Sequence, residues 1–389
     1  MEKIRLGIIG IGNMGSEHCR LILSGQTPEI ALTCVADPRQ DRRDWAQQTL
    51  PAGTGIYADG MSLIRAHACD AVLIATPHEL HPPLAEAALR AGLHVLSEKP
   101  AGVYTAQLHP VIAAAQETGR TYALMFNQRT NCVYRRLKAL LDSGELGALK
   151  RVTWVVTDWY RSQAYYDSGA WRATWTGEGG GVLLNQCPHQ LDLLQWLCGL
   201  PVRVRAACHE GKWHDIEVED DVTAYLEFAN GATGTFIAST GDALGENRLE
   251  IIGTRARIRI ENDQLTLDTL GVDERDWCPV CKEPFGVPDI QHEIVQTDGE
   301  NPQHAGVLNA FAAHILHGTP LVADGREGIR GLMLSNAMHL SSWTNQTVSL
   351  PIDEELFLKL LNEKRRTSRH KDEVDAAIDV SGSFGSTRK

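Results

Sequence analysis

The chain has 389 residues, of which 43% are hydrophobic, and a formal net charge of −12. This acidic balance argues against a nucleic-acid partner, because phosphate binding needs clustered lysine and arginine. No apolar run approaches the roughly 20 residues that cross a bilayer, so we expect no membrane span. The N-terminus enters a strand pattern at once, which predicts that no signal peptide is present.

Nine scattered cysteines without a secretion signal predict reduced thiols and a cytoplasmic location. The one close pair is Cys278 and Cys281 in "DWCPVCKEPF". A single C-x-x-C is weak support for zinc, and two loop thiols are the simpler interpretation. We therefore expect no metal site.

The first third of the chain alternates strands with helices. An apolar run from Ile4 to Ile9 turns through glycines into a helix, a second β-rich run ends at Asp37, and "DAVLIATP" follows as a third strand. A helix then leads to a strand from His94 to Ser97, and the helix–strand pair repeats once more. This order predicts an α/β fold with a doubly wound, parallel Rossmann sheet over residues 1–125.

After residue 125 the pattern changes. Alternating β-branched runs such as "KRVTWVVTDWY" and "VTAYLEFANGATGTFIAST" are joined by short turns. They predict an α+β domain over residues 126–362 with an open-faced, mainly antiparallel sheet, whose exposed face favours self-association. Residues 363–389 are charged and then rich in glycine and serine, which predicts a partly disordered polar tail.

The first turn has the dinucleotide fingerprint Gly10-x-Gly12-x-x-Gly15 between a strand and a helix. Gly10 permits the tight turn, Gly12 lets the backbone approach a pyrophosphate, and Gly15 lets the helix pack closely. The N–H groups at the helix N-terminus would hold the phosphates. The same turn contributes two further predicted cofactor contacts, Asn13 and Met14.

Asp37 lies 22 residues after Gly15, where a carboxylate accepts hydrogen bonds from the ribose hydroxyls and repels a 2′-phosphate. We therefore expect NAD as the cofactor. Arginines follow directly and leave NADP possible: Arg39, Arg42 and Arg43.

The strands end in residues suited to line the cofactor, because ligands bind at the carboxyl ends of parallel strands. The third strand is followed by Thr76, Pro77, His78 and His81, each of which could instead be a capping or loop residue. The next strand ends in "SEKP", where Glu98 joins the cofactor site. Its neighbour Lys99 is placed both to contact the cofactor and to polarise an alcohol or carbonyl oxygen.

The segment "GGGVLLNQCPHQLDLLQW" predicts an amphipathic helix with Asn185, His189 and Asp192 on one face. His189 suits a general base near neutral pH, and a nearby Lys99 cation would keep its imidazole neutral. A satisfied core histidine is the alternative. Asp192 is interpreted as a structural residue.

An aromatic segment precedes this helix and predicts a sugar-binding wall, with an edge cluster of the sheet as the alternative interpretation. Its predicted substrate contacts are Trp159, Tyr160, Trp171 and Arg172. Asn127, directly after the strand pattern "YALMF", is a further predicted substrate contact, together with Asn185 and His189.

The combined motifs "GIIGIGNMG", "ATP…H", "AGLHVLSEKP" and "GGGVLLNQCPHQLD" resemble the glucose–fructose oxidoreductase/inositol dehydrogenase family. The resemblance implies a sugar or polyol substrate, a homo-dimer or homo-tetramer, and an active site built on Lys99 and His189. It also implies an aspartate at the position of Asn185, a third catalytic position. Asparagine cannot ionise, but it can hydrogen-bond a substrate hydroxyl. In several members a residue at the position of His304 contacts substrate.

Three functions fit these observations. The first is an NAD-dependent dehydrogenase acting on a secondary alcohol of a sugar, glycoside or cyclic polyol. The second is a redox-assisted glycosidase or lyase that recycles NAD in place, which Asn185 keeps open. The third is an NAD-binding regulator without turnover, against which Lys99 and His189 argue.

Overall fold

The computed structural model describes residues 2–369 and 371. The N-terminal sheet is built from six strands: β1 (Ile4–Ile9), β2 (Ile30–Ala36), β3 (Gly55–Tyr57), β4 (Ala71–Ile74), β5 (His94–Ser97) and β6 (Tyr122–Leu124). All of them pair in parallel, in the order β3-β2-β1-β4-β5-β6. The strand order reverses between β1 and β4, so the ligand crevice of such a sheet lies at their carboxyl ends.

Helices cover both faces of this sheet: α1 (Asn13–Leu23), α2 (Gln40–Thr49), α3 (Gly60–Ala66), α4 (His81–Arg90) and α5 (Leu108–Thr118). The central strands are mainly apolar because both faces of the sheet are buried, and the one exposed residue of β1 is Arg5. A helix from late in the chain, α10 (Gln303–His317), also packs here, and its Leu308 and Phe311 join Leu6 and Leu73 in one core cluster. This packing brings the N-terminus of α10 to the crevice side of the molecule.

The second sheet has nine strands: β7 (Leu149–Val156), β8 (Arg203–Glu210), β9 (Glu219–Glu227), β10 (Thr233–Ser239), β11 (Asn247–Gly253), β12 (Ala256–Glu261), β13 (Gln264–Leu270), β14 (Ile290–Ile294) and β15 (Val348–Ser349). Their order is β14-β13-β12-β11-β7-β10-β9-β8-β15. Only the β10–β7 pair is parallel among the described strands of this sheet. Along β9 buried Ala224 and Leu226 alternate with exposed Thr223 and Tyr225, so one face of the sheet is open. The predicted fold class is confirmed.

The remaining helices are α6 (Cys132–Asp142), α7 (Gln163–Asp167), α8 (Pro188–Cys198), α9 (Glu274–Trp277), α11 (Gly328–Thr344) and α12 (Glu354–Arg366). Helices α8 and α11 pack against each other and cover the buried face of the second sheet. No helix among residues 2–369 combines the length and apolar character needed to cross a membrane.

The prediction of one helix carrying Asn185, His189 and Asp192 is wrong, because α8 begins only at Pro188. The preceding residues form a turn fixed by Glu219 of β9. Its carboxylate accepts hydrogen bonds from the backbone N–H groups of Gly181, at 2.8 Å, and Leu183, at 3.0 Å. These N–H groups are satisfied outside a helix, so Asn185 lies in the turn and His189 in the first turn of α8.

Helix α12 continues to Arg366 and so includes the first four residues of the predicted polar tail. Beyond it, the Arg369 N–H donates to the Glu217 carboxylate at 2.7 Å, and Lys371 Nζ donates to the Tyr166 carbonyl at 3.2 Å. The rest of the predicted tail, residues 372–389, lies outside the described residues.

Candidate active site

The glycine-rich turn between β1 and α1 forms an open cradle. Gly10 has a φ of +87°, and a Cβ on Gly15 would lie 1.9 Å from the Gly10 carbonyl oxygen, so both positions need glycine for the fold itself. Gly12 differs, because a Cβ there would meet no protein atom within 4 Å. Gly12 is also the N-cap of α1 without a side-chain cap, which leaves N–H groups at Asn13 and Met14 for an anion.

Asp37 lies directly after β2 with its carboxylate buried beside this turn. Its Oδ2 accepts the Ile11 N–H at 2.9 Å and its Oδ1 accepts the Arg39 N–H at 3.0 Å. Each carboxylate oxygen has a second lone pair, so both can still accept a ribose hydroxyl. The cradle and this carboxylate fit the phosphates and ribose of NAD.

The three arginines after β2 are engaged by the protein. Arg39 forms an ion pair with Asp41, and Arg42 Nε donates to the Ile11 carbonyl at 2.8 Å. Arg43 Nη1 donates to the carbonyl of Asp37 at 2.8 Å. These contacts hold the arginines in place around Asp37.

The residues after β4 connect the cofactor crevice to the second domain. His81 directs its two ring nitrogens to the carbonyls of Pro100, at 2.8 Å, and Thr76, at 2.7 Å. His78, which follows Pro77, places Nδ1 3.2 Å from the Glu178 carbonyl and packs edge-on against Trp171. Thus His81 ties two backbone segments together, whereas His78 reaches the predicted substrate wall.

Glu98 and Lys99 follow β5 at the centre of the crevice. Burial raises the pKa of Glu98, but the hydrogen bond from His18 Nε2, at 2.7 Å, and the His18 charge bring it to about 2. His18 lies on α1 and also contacts His304, the second residue of α10. No pattern in the sequence pointed to His18, because only the fold places it beside Glu98.

Lys99 reaches across to the turn before α8, where its Nζ donates to the Asn185 carbonyl oxygen at 2.9 Å. Burial lowers the pKa of Lys99, opposed by the charges of Glu98 and Glu178. The ammonium keeps two further donors for a ligand.

His189 is partly buried, packs edge-on against Phe126 and lies within reach of the Lys99 charge. We call the space bounded by Lys99, Asn185 and His189 the chamber. Burial and then the Lys99 charge lower its pKa to about 3, so the imidazole is neutral near pH 7. Its Nδ1 is enclosed and has no hydrogen-bond partner among the described residues. The structure thus brings Lys99, Asn185 and His189 together, although Asn185 and His189 do not share a helix.

Asp192 has a separate task. It accepts two hydrogen bonds from the Arg129 guanidinium, at 2.8 and 2.6 Å, with both side chains buried. Arg129 also pairs with Glu327. This buried network accounts for Asp192 as a structural residue that fixes α8.

The aromatic segment forms a wall of stacked rings and guanidinium groups. Arg172 lies over the Tyr165 and Trp171 rings, with centroid distances of 4.6 Å to each, and donates to the Tyr165 hydroxyl. Arg161 lies over the Trp159 ring at 5.4 Å. Tyr160, in contrast, is 44% exposed.

Asn127 lies in the short helical turn after β6, where its Nδ2 donates to Gln303 at 2.6 Å. Its Oδ1 is buried without a partner among the described residues, so this acceptor remains available to a ligand.

Glu178, like His18, is a site residue that the sequence analysis missed. It is 2% exposed, directly precedes the three glycines, and accepts a hydrogen bond from the Asn185 side chain. Burial raises its pKa, opposed first by the charge of Arg172. The available signal was an acidic residue inside an otherwise apolar and glycine-rich run, "TGEGGG".

Comparison with known families matches both halves of the chain. The model described as an oxidoreductase family with an NAD-binding Rossmann fold matches residues 4–126, and that of the GFO/IDH/MocA C-terminal domain matches residues 134–259. The chain belongs to the Gfo/Idh/MocA family. This confirms the resemblance seen in the sequence, and the N-terminal Gfo/Idh/MocA domain binds NAD.

Individual Gfo/Idh/MocA relatives are distant. The uncharacterized oxidoreductase YdgJ of Escherichia coli is 32% identical over 52% of this chain and 55% of its own length, so this chain spans about half of that relative. Myo-inositol 2-dehydrogenase of Thermotoga maritima is 24% identical over 89% of this chain and 98% of its own. The WlbA dehydrogenase of Bordetella pertussis, solved with NADH and UDP-GlcNAcA, superposes with a TM-score of 0.75 at 26% identity, covering 90% of this chain and 100% of that one.

Proposed function

We propose that this protein is an NAD-dependent dehydrogenase that oxidises a secondary alcohol of a sugar, glycoside or cyclic polyol. The observation that carries the proposal is the closeness of Lys99 to His189: the Lys99 charge helps to keep this imidazole neutral, and His189 Nδ1 lacks a protein partner among the described residues. Among the named relatives, one is a myo-inositol 2-dehydrogenase and one was solved with a sugar nucleotide, which supports this substrate class.

The residues divide the work of alcohol oxidation. NAD, when bound, supplies the acceptor for the hydride that leaves the alcohol carbon. His189 accepts the hydroxyl proton, because its low pKa keeps the imidazole neutral and available as a base. Lys99 directs its remaining N–H donors to the same oxygen and stabilises the negative charge that develops there.

We also propose that the protein prefers NAD over NADP. The Asp37 carboxylate stands where a 2′-phosphate would have to lie, and like charges repel at this distance. Arg39 and Arg43 are already bound to Asp41 and to backbone carbonyls, so they provide little compensation.

The proposed activity is tested by incubating the purified protein with NAD and a panel of inositols, free sugars and aryl glycosides. Nicotinamide absorbance and aglycone release are recorded together. Stoichiometric NADH formation with a member of the panel supports the dehydrogenase. Aglycone release without net NADH would instead show redox-assisted cleavage, and tight NAD binding with neither signal would indicate a regulator.

Self-association and location belong to the same proposal. Tyr225 on the open face of the second sheet is 44% exposed, and Ile290 and Ile294 on edge strand β14 are 61% and 49% exposed. These surfaces favour a homo-dimer or homo-tetramer, which sedimentation would reveal. All nine cysteines are free thiols, which supports a reducing, cytoplasmic environment.

A further inference from the structure

Glu178 stands behind the proposed active site as a buried carboxylate for which the reaction described above has no use. It lies in the loop before the glycine turn, and its Oε2 accepts the Ala173 N–H at 2.6 Å. Its charge interacts with Lys99 on one side and Arg172 on the other. Burying an unpaired carboxylate lowers the stability of a protein, so a buried glutamate at this position indicates a specific role.

The second oxygen of Glu178 determines how the Asn185 amide is oriented. Asn185 Nδ2 donates to Glu178 Oε1. Both carboxylate oxygens of Glu178 are used as acceptors, Oε2 by the Ala173 N–H and Oε1 by the Asn185 amide, so the NH₂ group faces Glu178 and the carbonyl oxygen Oδ1 faces away. Within residues 2–369 no hydrogen bond involves Oδ1, and the Asn185 side chain is partly exposed whereas Glu178 is buried. Oδ1 is therefore the atom that Asn185 leaves for a ligand.

The backbone carbonyl of Asn185 ties the same residue to Lys99. The Asn185 backbone carbonyl accepts a hydrogen bond from Lys99 Nζ at 2.9 Å. The residue that offers Oδ1 to a ligand is therefore the residue that anchors the ammonium. A hydroxyl bound to Oδ1 would thus be a neighbour of the hydroxyl bound to Lys99. An amide carbonyl accepts such a hydrogen bond without adding a negative charge next to the reacting oxygen.

We propose that Glu178 is a positioning residue that fixes Asn185 as a neutral hydrogen-bond acceptor for a second substrate hydroxyl, adjacent to the one that reacts. This inference rests on the proposed function and narrows its substrate class to compounds with two hydroxyls on adjacent carbons. The family resemblance implies a carboxylate at position 185; here the Glu178 carboxylate binds the asparagine at that position and acts through it.

A reciprocal exchange of acid and amide tests the proposal. Steady-state kinetics with NAD and either myo-inositol or methyl α-D-glucopyranoside would compare wild type, Glu178→Gln, Asn185→Asp and the double variant. In Glu178→Gln the orientation of Asn185 is no longer fixed. In Asn185→Asp two carboxylates meet and must share a proton. Each single variant should lose about tenfold or more in kcat/KM, the effect of one lost hydrogen bond to a buried charged group.

The double variant is the decisive sample. Its new amide at position 178 would donate to the new carboxylate at position 185, whose other oxygen again faces the site as an acceptor, now with a charge, so kcat/KM should rise at least about threefold above either single variant without reaching wild type. A purely structural role for Glu178 gives a double variant no better than the worse single one, and that result would overturn the proposal. Glu217→Gln, a change to a nearby carboxylate that instead binds the Trp175 and Arg369 N–H groups, is the matched control.

A readout without substrate separates this proposal from the proposed function. Neutron diffraction from deuterated wild-type crystals should show both deuterons of the Asn185 amide on the atom facing Glu178, and none on Glu178 Oε1. A reversed amide, or a deuteron on Glu178 shared with Asn185, would refute the positioning role. If no probe is oxidised but the amide has the expected orientation, the dehydrogenase proposal fails and the role of Glu178 stands.

Discussion

Lys99 is the cation on which the chamber depends, because its ammonium has one donor fixed on Asn185 and others available to an alcohol oxygen. The Lys99→Met change keeps an unbranched side chain of similar length and removes the charge. We expect kcat to fall about 100-fold or more, the usual effect of removing one donor to a developing oxyanion. NAD affinity, measured by fluorescence titration, should stay within about threefold of wild type, since the glycine turn and Asp37, which would hold the phosphates and ribose, are unchanged.

The control for this change is Lys359→Met on the exposed side of α12, which should leave kcat unaltered. Near wild-type turnover in Lys99→Met would remove Lys99 from the reaction.

His189 should determine where activity begins to fall in acid. A base works in its deprotonated form, and burial together with Lys99 lowers the His189 pKa from 6.5 to about 3. We therefore expect that protonation of His189 causes no fall in kcat/KM between about pH 8 and pH 5. A limb centred near the ordinary histidine pKa of 6.5, present in wild type and lost in His189→Gln, would contradict the assigned environment.

At the scale of elements, the turn between β1 and α1 contains Gly15, which the fold requires, and Gly12, which only NAD binding requires. A Cβ on Gly15 would lie 1.9 Å from the Gly10 carbonyl, so Gly15→Ala should destabilise the protein by about 1–3 kcal/mol through overpacking. A Cβ on Gly12 meets no protein atom within 4 Å, so Gly12→Ala should change the unfolding free energy by less than about 0.5 kcal/mol. The same change should weaken NAD binding about tenfold or more, since it fills the cradle.

Urea unfolding and NAD titration of the two variants check this pair, each serving as the control for the other. Unchanged NAD affinity in Gly12→Ala would show that the cradle is not the phosphate site. Equal stability losses in the two variants would show that the fold requires Gly12 as well as Gly15.

The elements themselves were largely predictable where the sequence pattern is local. The glycine turn, Asp37 and "SEKP" each follow a strand directly, so alternation alone placed them at one edge of the sheet. Strand β3 has only three residues, too few to form a pattern. The start of α8 was missed because the turn before it is held by Glu219, far along the chain, whose carboxylate binds the Gly181 and Leu183 N–H groups. Glu178 was missed because its role depends on the side chain it meets.

For the molecule as a whole, the buried Glu98 predicts how stability changes in acid. Its pKa falls from 4.5 to about 2 on folding, because the contact with His18 outweighs burial. A depressed carboxyl pKa contributes stability that is complete above pH 4.5 and lost as the pH falls toward 2. In urea unfolding at a series of pH values, Glu98→Gln should show a shallower loss over this window than wild type. An identical slope in both proteins would show that Glu98 is not the group responsible.

The most direct test of the account follows the hydrogen that leaves the substrate. Perdeuterated myo-inositol and ring-deuterated methyl α-D-glucopyranoside are incubated with the protein and NAD, and the nicotinamide is examined by mass spectrometry. The chamber of Lys99 and His189 predicts that carbon-bound deuterium appears on the nicotinamide ring with wild type and not with Lys99→Met. NAD that binds tightly but gains no deuterium from either compound would contradict the proposed oxidation of a ring alcohol.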